Sequence, residues 1–415
     1  MTRNWVPSCP FSLIGGTLCE RLRSGRDRLG GVDMKTHAAV LFGRGQDWQI
    51  EEIDLDPPRE QEVLVKWEAA GLCHSDQHLR GSDIGDSQRS PEAPERAGLF
   101  PIVGGHEGGG IVLQVGPGVR SLQPGDHVAA SFFPICGQCK MCITGHSNLC
   151  DLGAATFAPG QISDGTMRYH LNCEDINVMA KVGTFAEHSV ANEASLVKVD
   201  PDLPLSVVAL VSCGVTTGWG SAVYRAEVKP GETVVIVGVG GVGINAVQGA
   251  RMAGAKNIVA VDPVEFKQKA ALDFGATHAV SSMEEAMPLV RDLTRGEMAD
   301  AVIMVPSVMY GHLMADALTL TGKGGTCVVT GVAPQAQKES SINLFELAMW
   351  QKEVRGVVFG AANPRFDIPN LLALYKSGQL MLDELITRTY PLDQINQGYQ
   401  DMLDGVNIRG VITFS

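Results

Sequence analysis

The sequence is short of charge. Only 19% of its 415 residues are Asp, Glu, Lys or Arg, too few to hold a chain of this length open in water, which excludes disorder over most of it. Positive charge is in deficit: 33 Lys and Arg stand against 46 Asp and Glu, a net charge of -13. That balance argues against nucleic acid or an anionic membrane as the main partner and fits an enzyme of small molecules. No apolar run reads as a membrane span, because long apolar stretches such as "TVVIVGVGGVGINAVQGA" are glycine-rich and broken by polar residues. A secretory signal is missing too. Residues 1–33 hold one short apolar patch, then arginines, with no convincing cleavage site. They are expected to be a disordered leader, or an upstream start, on a cytoplasmic protein. Internal repeats and low-complexity tracts are also lacking.

Apolar residues, in contrast, make up 45% of the chain, enough for a sizeable core, and the length suggests two domains. From Met34, short alternating strands with Gly and Pro turns predict an all-β, barrel-like region. "EVLVKWEAAGLCHSDQH" reads as a strand from Glu62 that gives way to a turn and a helix, and Arg80–Pro101 as a polar surface loop. Beyond Val211 the rhythm changes. Strands "ETVVIVGVG", "NIVAVD", "HAVSS", "ADAVIMVP" and "GGTCVVTG" alternate with helical segments, which means a parallel sheet. A helical piece starts near Ala361, and "GVITFS" is a last strand. The expected division is 34–211, 212–360 and 361–415, the last returning to the first.

"GVGGVG" sets Gly238, Gly240 and Gly243 between a buried strand and a helix. The first glycine permits the tight turn, the second lets backbone approach a pyrophosphate, and the third packs helix on strand. Asp262 closes the next strand about twenty residues on, completing a dinucleotide fingerprint. Its carboxylate can accept from ribose hydroxyls and repels a 2′-phosphate, and Pro263 and Val264 supply no compensating cation. NAD is therefore expected over NADP.

Four of the ten cysteines fall in "CGQCKMCITGHSNLC", at Cys136, Cys139, Cys142 and Cys150. In a long acidic chain without a secretory signal, metal thiolates are a better reading than disulfides. Four thiolates close a tetrahedron around zinc, or less readily iron, and leave no position for substrate. This lobe, 136–150, would hold structure only. A reactive metal needs donors elsewhere, and three segments offer one each: Cys73 in "GLCHSDQH", His106 in "GGHEGGG" and Cys213 in "VSCGVTTGWG". Spacing alone does not select this set. His74 and His78, four apart, are a competing pair on one helical face.

From Met34 onward these segments resemble the zinc-containing medium-chain alcohol dehydrogenases, in "GLCHSD", the Gly-His-Glu-x-x-Gly match at Gly105–Gly110, the four-cysteine lobe, "CGVTTGWGSAV", "GVGGVGINAVQGAR" and "NIRGVITF". The resemblance implies a GroES-like β-barrel catalytic domain plus a Rossmann doubly wound sheet, with two zinc ions and NAD. It implies that Cys73, His106 and Cys213 bind the catalytic zinc, and that Glu107 approaches the metal transiently or orients the site from behind. Ser75 then hydrogen-bonds the alcohol and His78 passes its proton out. His74 and Arg409 would sit near the pyrophosphate and Thr217 beside the nicotinamide, with Gly241 and Lys267 completing the cofactor set.

Within the family, "AVDPVEFK" and "TTGWGSAVYRAEV" are similar to the NDMA-dependent, or nicotinoprotein, branch. That likeness implies a tightly held NAD reoxidised by an external acceptor such as mycofactocin, primary alcohols as substrates, and a homo-oligomer, dimer or tetramer. Two alternatives stay open: a thiol-adduct formaldehyde dehydrogenase using free NAD, and a non-catalytic NAD- or quinone-binding protein.

Overall fold

Alternation of apolar residues from Met34 onward closes a small barrel. Around it run the strands Met34–Leu41, Gln49–Leu55, Tyr169–Leu171, Glu174–Val178 and Ile102–Val103. Ala38, Val40, Ile53, Leu55, Val103 and Tyr169 fill its interior. These coordinates are a computed structural model, which describes residues 34–81, 99–334 and 337–414. The expected leader, 1–33, and most of the expected surface loop, 82–98, lie outside the described residues.

A second sheet is organised on the strand Glu62–Gly71. It pairs antiparallel with Gly108–Val115, with His188–Asn192 and, at its far end, with Arg409–Thr413, where Val411 faces Gly71. The strand begins on a buried ion pair. Arg168 donates Nε and Nη2 to the two oxygens of Glu62, at 2.8 and 2.7 Å, and neither side chain has any exposed surface.

The third sheet has six strands, in the order His278–Val280, Asn257–Val261, Thr233–Val237, Ala299–Met304, Thr321–Val329 and Glu353–Gly356, all parallel. Every residue of Thr233–Val237 and of Asn257–Val261 is buried, as strands covered by helices on both faces must be. The edge strand Glu353–Gly356 has no apolar pattern to announce it: it reads "EVRG" and is largely exposed.

Three helices place the chemistry. Helix α1 spans His74–Arg80, α2 spans Leu205–Arg225, and α3 spans Gly243–Met252. By length and composition α2 could cross a membrane, but most of it is buried within the fold. It has no polar face because protein surrounds it, which is why its sequence shows no amphipathic period. It also runs across residue 211, where a domain boundary is expected. Two widened π turns interrupt it, at Val211–Val215 and Ser221–Arg225.

Candidate active site

Where the strand Glu62–Gly71 ends, the chain stays extended through Cys73 (φ -122°, ψ 148°) before α1 begins. His106 and Glu107 occupy the turn that enters the strand Gly108–Val115. Cys213 sits in the first π turn of α2, a distortion that often marks functional positions. One donor atom from each of Cys73, His106, Glu107 and Cys213 lies within 4.8 Å of every other. Cys73 is half-buried and the other three are buried.

Each donor is held by a neighbour. His106 Nδ1 is 2.9 Å from Asp76 Oδ2, in a pair with almost no exposed surface, and Asp76 Oδ1 accepts from the Gly105 N–H at 2.9 Å. With Nδ1 so engaged, Nε2 is the nitrogen left for a metal. Burial works against a charged His106 ring, but Asp76 and Cys73 outweigh it and raise its pKa well above the usual histidine value. The Cys213 hydrogen bond, helped by His106, holds the Cys73 thiol well below the usual thiol range. Two sulfurs and an imidazole gathered in a dry site, competing for protons, are a donor set that fits zinc.

Glu107 is oriented away from free solvent. Oε1 accepts from the Gly214 N–H at 3.2 Å, and Oε2 is ion-paired with Arg409. Burial pushes its carboxyl up to about 7 against the pull of Arg409. Arg409 also donates to Leu72 O at 3.3 Å. Its chain lies over the glycine turn, where a Cβ on Gly241 would stand 2.2 Å from its Cδ. One buried arginine thus connects the donor cluster to the turn.

The turn has the form a phosphate cradle needs. Gly238 adopts φ +88°, and a Cβ on Gly243 would stand 1.9 Å from Gly238 O. A Cβ on Gly240 would meet nothing within 4 Å, so backbone there is open to approach from outside. The Asp262 carboxylate is 5% exposed and already accepts from the Val239 and Val264 N–H groups, both at 3.0 Å; each oxygen keeps a further lone pair. Lys267 is half-buried on the helix that follows, and Thr217 half-buried in α2, one turn beyond Cys213.

Ser75 Oγ is 3.7 Å from Cys73 Sγ. The His74 and His78 rings stand 5.9 Å apart, His78 buried. Among the described residues only two groups of three or more potential metal donors converge, and neither includes His74 or His78. The second group is the lobe: Cys136, Cys139, Cys142 and Cys150. Three of its sulfur–sulfur separations are 3.5, 3.9 and 3.9 Å, against about 3.8 Å for the edge of a tetrahedron with zinc–sulfur bonds of about 2.3 Å. Backbone N–H groups of Asp151 and Cys142 bring Cys139 down to about 6. The lobe, too, fits a metal, and all its positions are filled by sulfur.

Sequence reasoning missed Asp76, although it stands inside "CHSDQH", and the wall beside His106. The Phe132 ring meets His106 edge-on at 5.5 Å and Phe359 edge-on at 5.1 Å. No spacing rule could join residues 106, 132 and 359.

Residues 59–201 match the alcohol dehydrogenase GroES-like domain, and residues 241–377 match the zinc-binding dehydrogenase family. The NDMA-dependent alcohol dehydrogenase of Amycolatopsis methanolica is 50% identical over 382 residues, 92% of this chain and 100% of that protein. S-(hydroxymethyl)glutathione dehydrogenase of Paracoccus denitrificans is 36% identical over 392 residues, again 92% of this chain and all of the relative. The crystal structure of benzyl alcohol dehydrogenase from Acinetobacter calcoaceticus is similar with a TM-score of 0.81 at 30% identity, covering 92% of this chain and 100% of that one. The barrel side is accordingly a GroES-like domain and the parallel sheet a Rossmann domain. With both domains matched and a full-length relative at half identity, the chain belongs to the zinc-containing medium-chain alcohol dehydrogenases and is similar to their NDMA-dependent branch.

Proposed function

We propose that this protein oxidises primary alcohols to aldehydes with zinc held by Cys73, His106 and Cys213 and NAD held at the Gly238–Gly243 turn. The observation that carries this is the convergence of those donors within 4.8 Å, tied by Arg409 to the glycine turn. When bound, zinc supplies Lewis acidity toward the alcohol oxygen and NAD accepts the hydride. Asp76 fixes the His106 ring. Ser75, beside Cys73, hydrogen-bonds the alcohol hydroxyl, and His78, one turn along α1, carries the proton away. Glu107 and Arg409 offset each other's charge behind the donors. Phe132 and Phe359 keep water from one side, which strengthens every charge interaction inside. A second zinc, in the lobe, holds structure and does no chemistry. Asp262 favours NAD over NADP, with His74 and Lys267 at the cofactor's edge and Thr217 beside the nicotinamide.

The finer reading is that NAD stays bound between turnovers and that an external acceptor, such as mycofactocin, reoxidises it. Its support is the 50% identity to a relative named NDMA-dependent alcohol dehydrogenase. Protein purified without added cofactor is denatured, and released NAD and NADH are counted. The native sample is assayed with a primary alcohol plus either free NAD or nitrosoaniline. NAD near one per chain, with turnover only on the acceptor, supports retention. Empty protein that steadily reduces free NAD leaves an ordinary zinc alcohol dehydrogenase. The 36% identity to a thiol-adduct enzyme keeps formaldehyde oxidation as a second reading, which activity strictly dependent on added thiol would favour.

A further inference from the structure

The turn after the edge strand Glu353–Gly356 is built against ordinary backbone preference. Phe359, Gly360 and Ala361 all have positive φ, at 53°, 62° and 59°. Two of the three carry side chains that disfavour this region, so the surroundings must hold them there. Three contacts do so. Asn148, buried at the lobe, donates from Nδ2 to Val358 O at 3.1 Å. The Phe359 ring is 1% exposed and lies edge-on to Phe132 at 5.1 Å and tilted to Phe133 at 6.5 Å. Gly360 presses on α2 so closely that a Cβ would stand 2.6 Å from Thr216 O and 2.7 Å from Thr217 O. One short strap therefore touches the lobe on one side and, on the other, the aromatic wall beside His106 and the helix that carries Cys213.

We propose that Asn148 is a positioning residue: its hydrogen bond pins the 358–361 strap to the lobe and so sets Phe359 and Phe132 as the wall that sorts alcohols by shape. The proposal rests on the alcohol-oxidation reading above. Val358 O also accepts from the Ala361 N–H at 3.1 Å, which closes the turn but ties it to nothing outside itself. Among the described residues only the Asn148 bond anchors that carbonyl to the lobe. Without it only the Phe359 packing and the Gly360 contact resist relaxation toward negative φ, and Phe359 is held less firmly against Phe132. The lobe then contributes to specificity as well as to fold.

The test is Asn148→Asp in the full chain, which keeps the size of the side chain and turns a donor toward a carbonyl into an acceptor. Two quantities are read against wild type, with metal content as the control. Hydrogen exchange in a peptide covering 357–362 is expected to quicken about tenfold, the worth of one hydrogen bond, while peptides of the lobe keep their protection. The kcat/KM for benzyl alcohol is expected to fall about tenfold with that for ethanol within about twofold, because only the bulky alcohol leans on the wall. A merely structural role would lower both alcohols by the same factor, through lost folded protein. That result, or unchanged exchange, overturns the proposal. Should Asn148→Asp shed lobe metal, Asn148→Ser is measured in the same way. Loss of metal in both variants makes Asn148 part of the lobe's own fold and also overturns it. Wild-type protein that oxidises neither alcohol would end the reading of function, while the exchange measurement would still decide whether Asn148 holds the strap.

Discussion

A carboxylate with no exposed surface must find partners inside the protein, and Asp76 has two, the Gly105 N–H and His106 Nδ1. Outer groups of this kind fix the tautomer and ring angle of a metal-binding histidine. Asp76→Asn is therefore expected to weaken zinc at the Cys73 set about 10–100-fold and to leave the lobe unchanged, as read by chelator competition with metal analysis. The Arg409–Glu107 pair makes a second residue-scale prediction. Arg409→Gln strands Glu107 in a dry site and is expected to cost about 3 kcal/mol in urea unfolding, the low end for a broken buried pair. The low end applies because a carboxyl already at about 7 takes up a proton readily. Adding Glu107→Gln should return part of that loss. Among these residues, the lobe cysteines are legible from spacing because they are near neighbours in the chain. Cys73, His106 and Cys213 are not; only family likeness gathers them. Asp76 and the Glu107–Arg409 contact depend on pairings that exist only after folding, the latter across 302 positions.

At the scale of elements, the parallel strands between Thr233 and Val329 are legible because burial on both faces leaves runs of valine and isoleucine that little else produces. Helix α2 is hidden for a related reason, since all its faces are buried and it shows no period. The edge strand Glu353–Gly356 is hidden for the opposite one, being short, charged and exposed. The strand Glu62–Gly71 depends on a partner outside the sheet. Arg168→Met would leave the buried Glu62 carboxylate without its cation, with the Arg59 N–H and the Ser163 hydroxyl still donating to it, and an expected loss of about 3 kcal/mol in denaturant unfolding. Arg168→Met combined with Glu62→Leu should cost much less, because two matched apolar groups need no desolvation. In the lobe, Cys150→Ser opens a tetrahedron whose other sulfurs remain. About one equivalent of zinc per chain should be lost, with the Cys73 set still loaded, as metal analysis of the purified variant would read.

For the whole molecule, acid is the condition that separates its parts. Burial works against the charge of Asp164, but the Thr166 N–H and hydroxyl, with Arg168, outweigh it and hold the carboxyl at about 2. An unfolded aspartate titrates near about 3.9, so between about 4 and 2 the unfolded chain binds more protons than the folded one. The stabilisation from Asp164 is complete above that window and is lost as pH falls through it. Denaturant unfolding from pH 5 to pH 2 should show the decline, and Asp164→Asn should flatten it.

The strand Arg409–Thr413 lies between Glu62–Gly71 and Ile386–Tyr390, inside its sheet and not at the rim. During synthesis the earlier strands emerge first and wait. The strand that carries the chain toward Cys73 pairs on one edge of its far end with Gly108–Val115 but keeps the other edge open until residue 413 has left the ribosome, and Arg409 cannot reach Glu107 before it has emerged. A nascent chain can gather the lobe's four sulfurs early, whereas the Cys73, His106 and Cys213 site gains its buried arginine only after residue 409 has emerged. The two donor sets are thereby completed at different times, and a ribosome stalled before residue 409 would carry the lobe's four sulfurs beside a centre that still lacks its arginine.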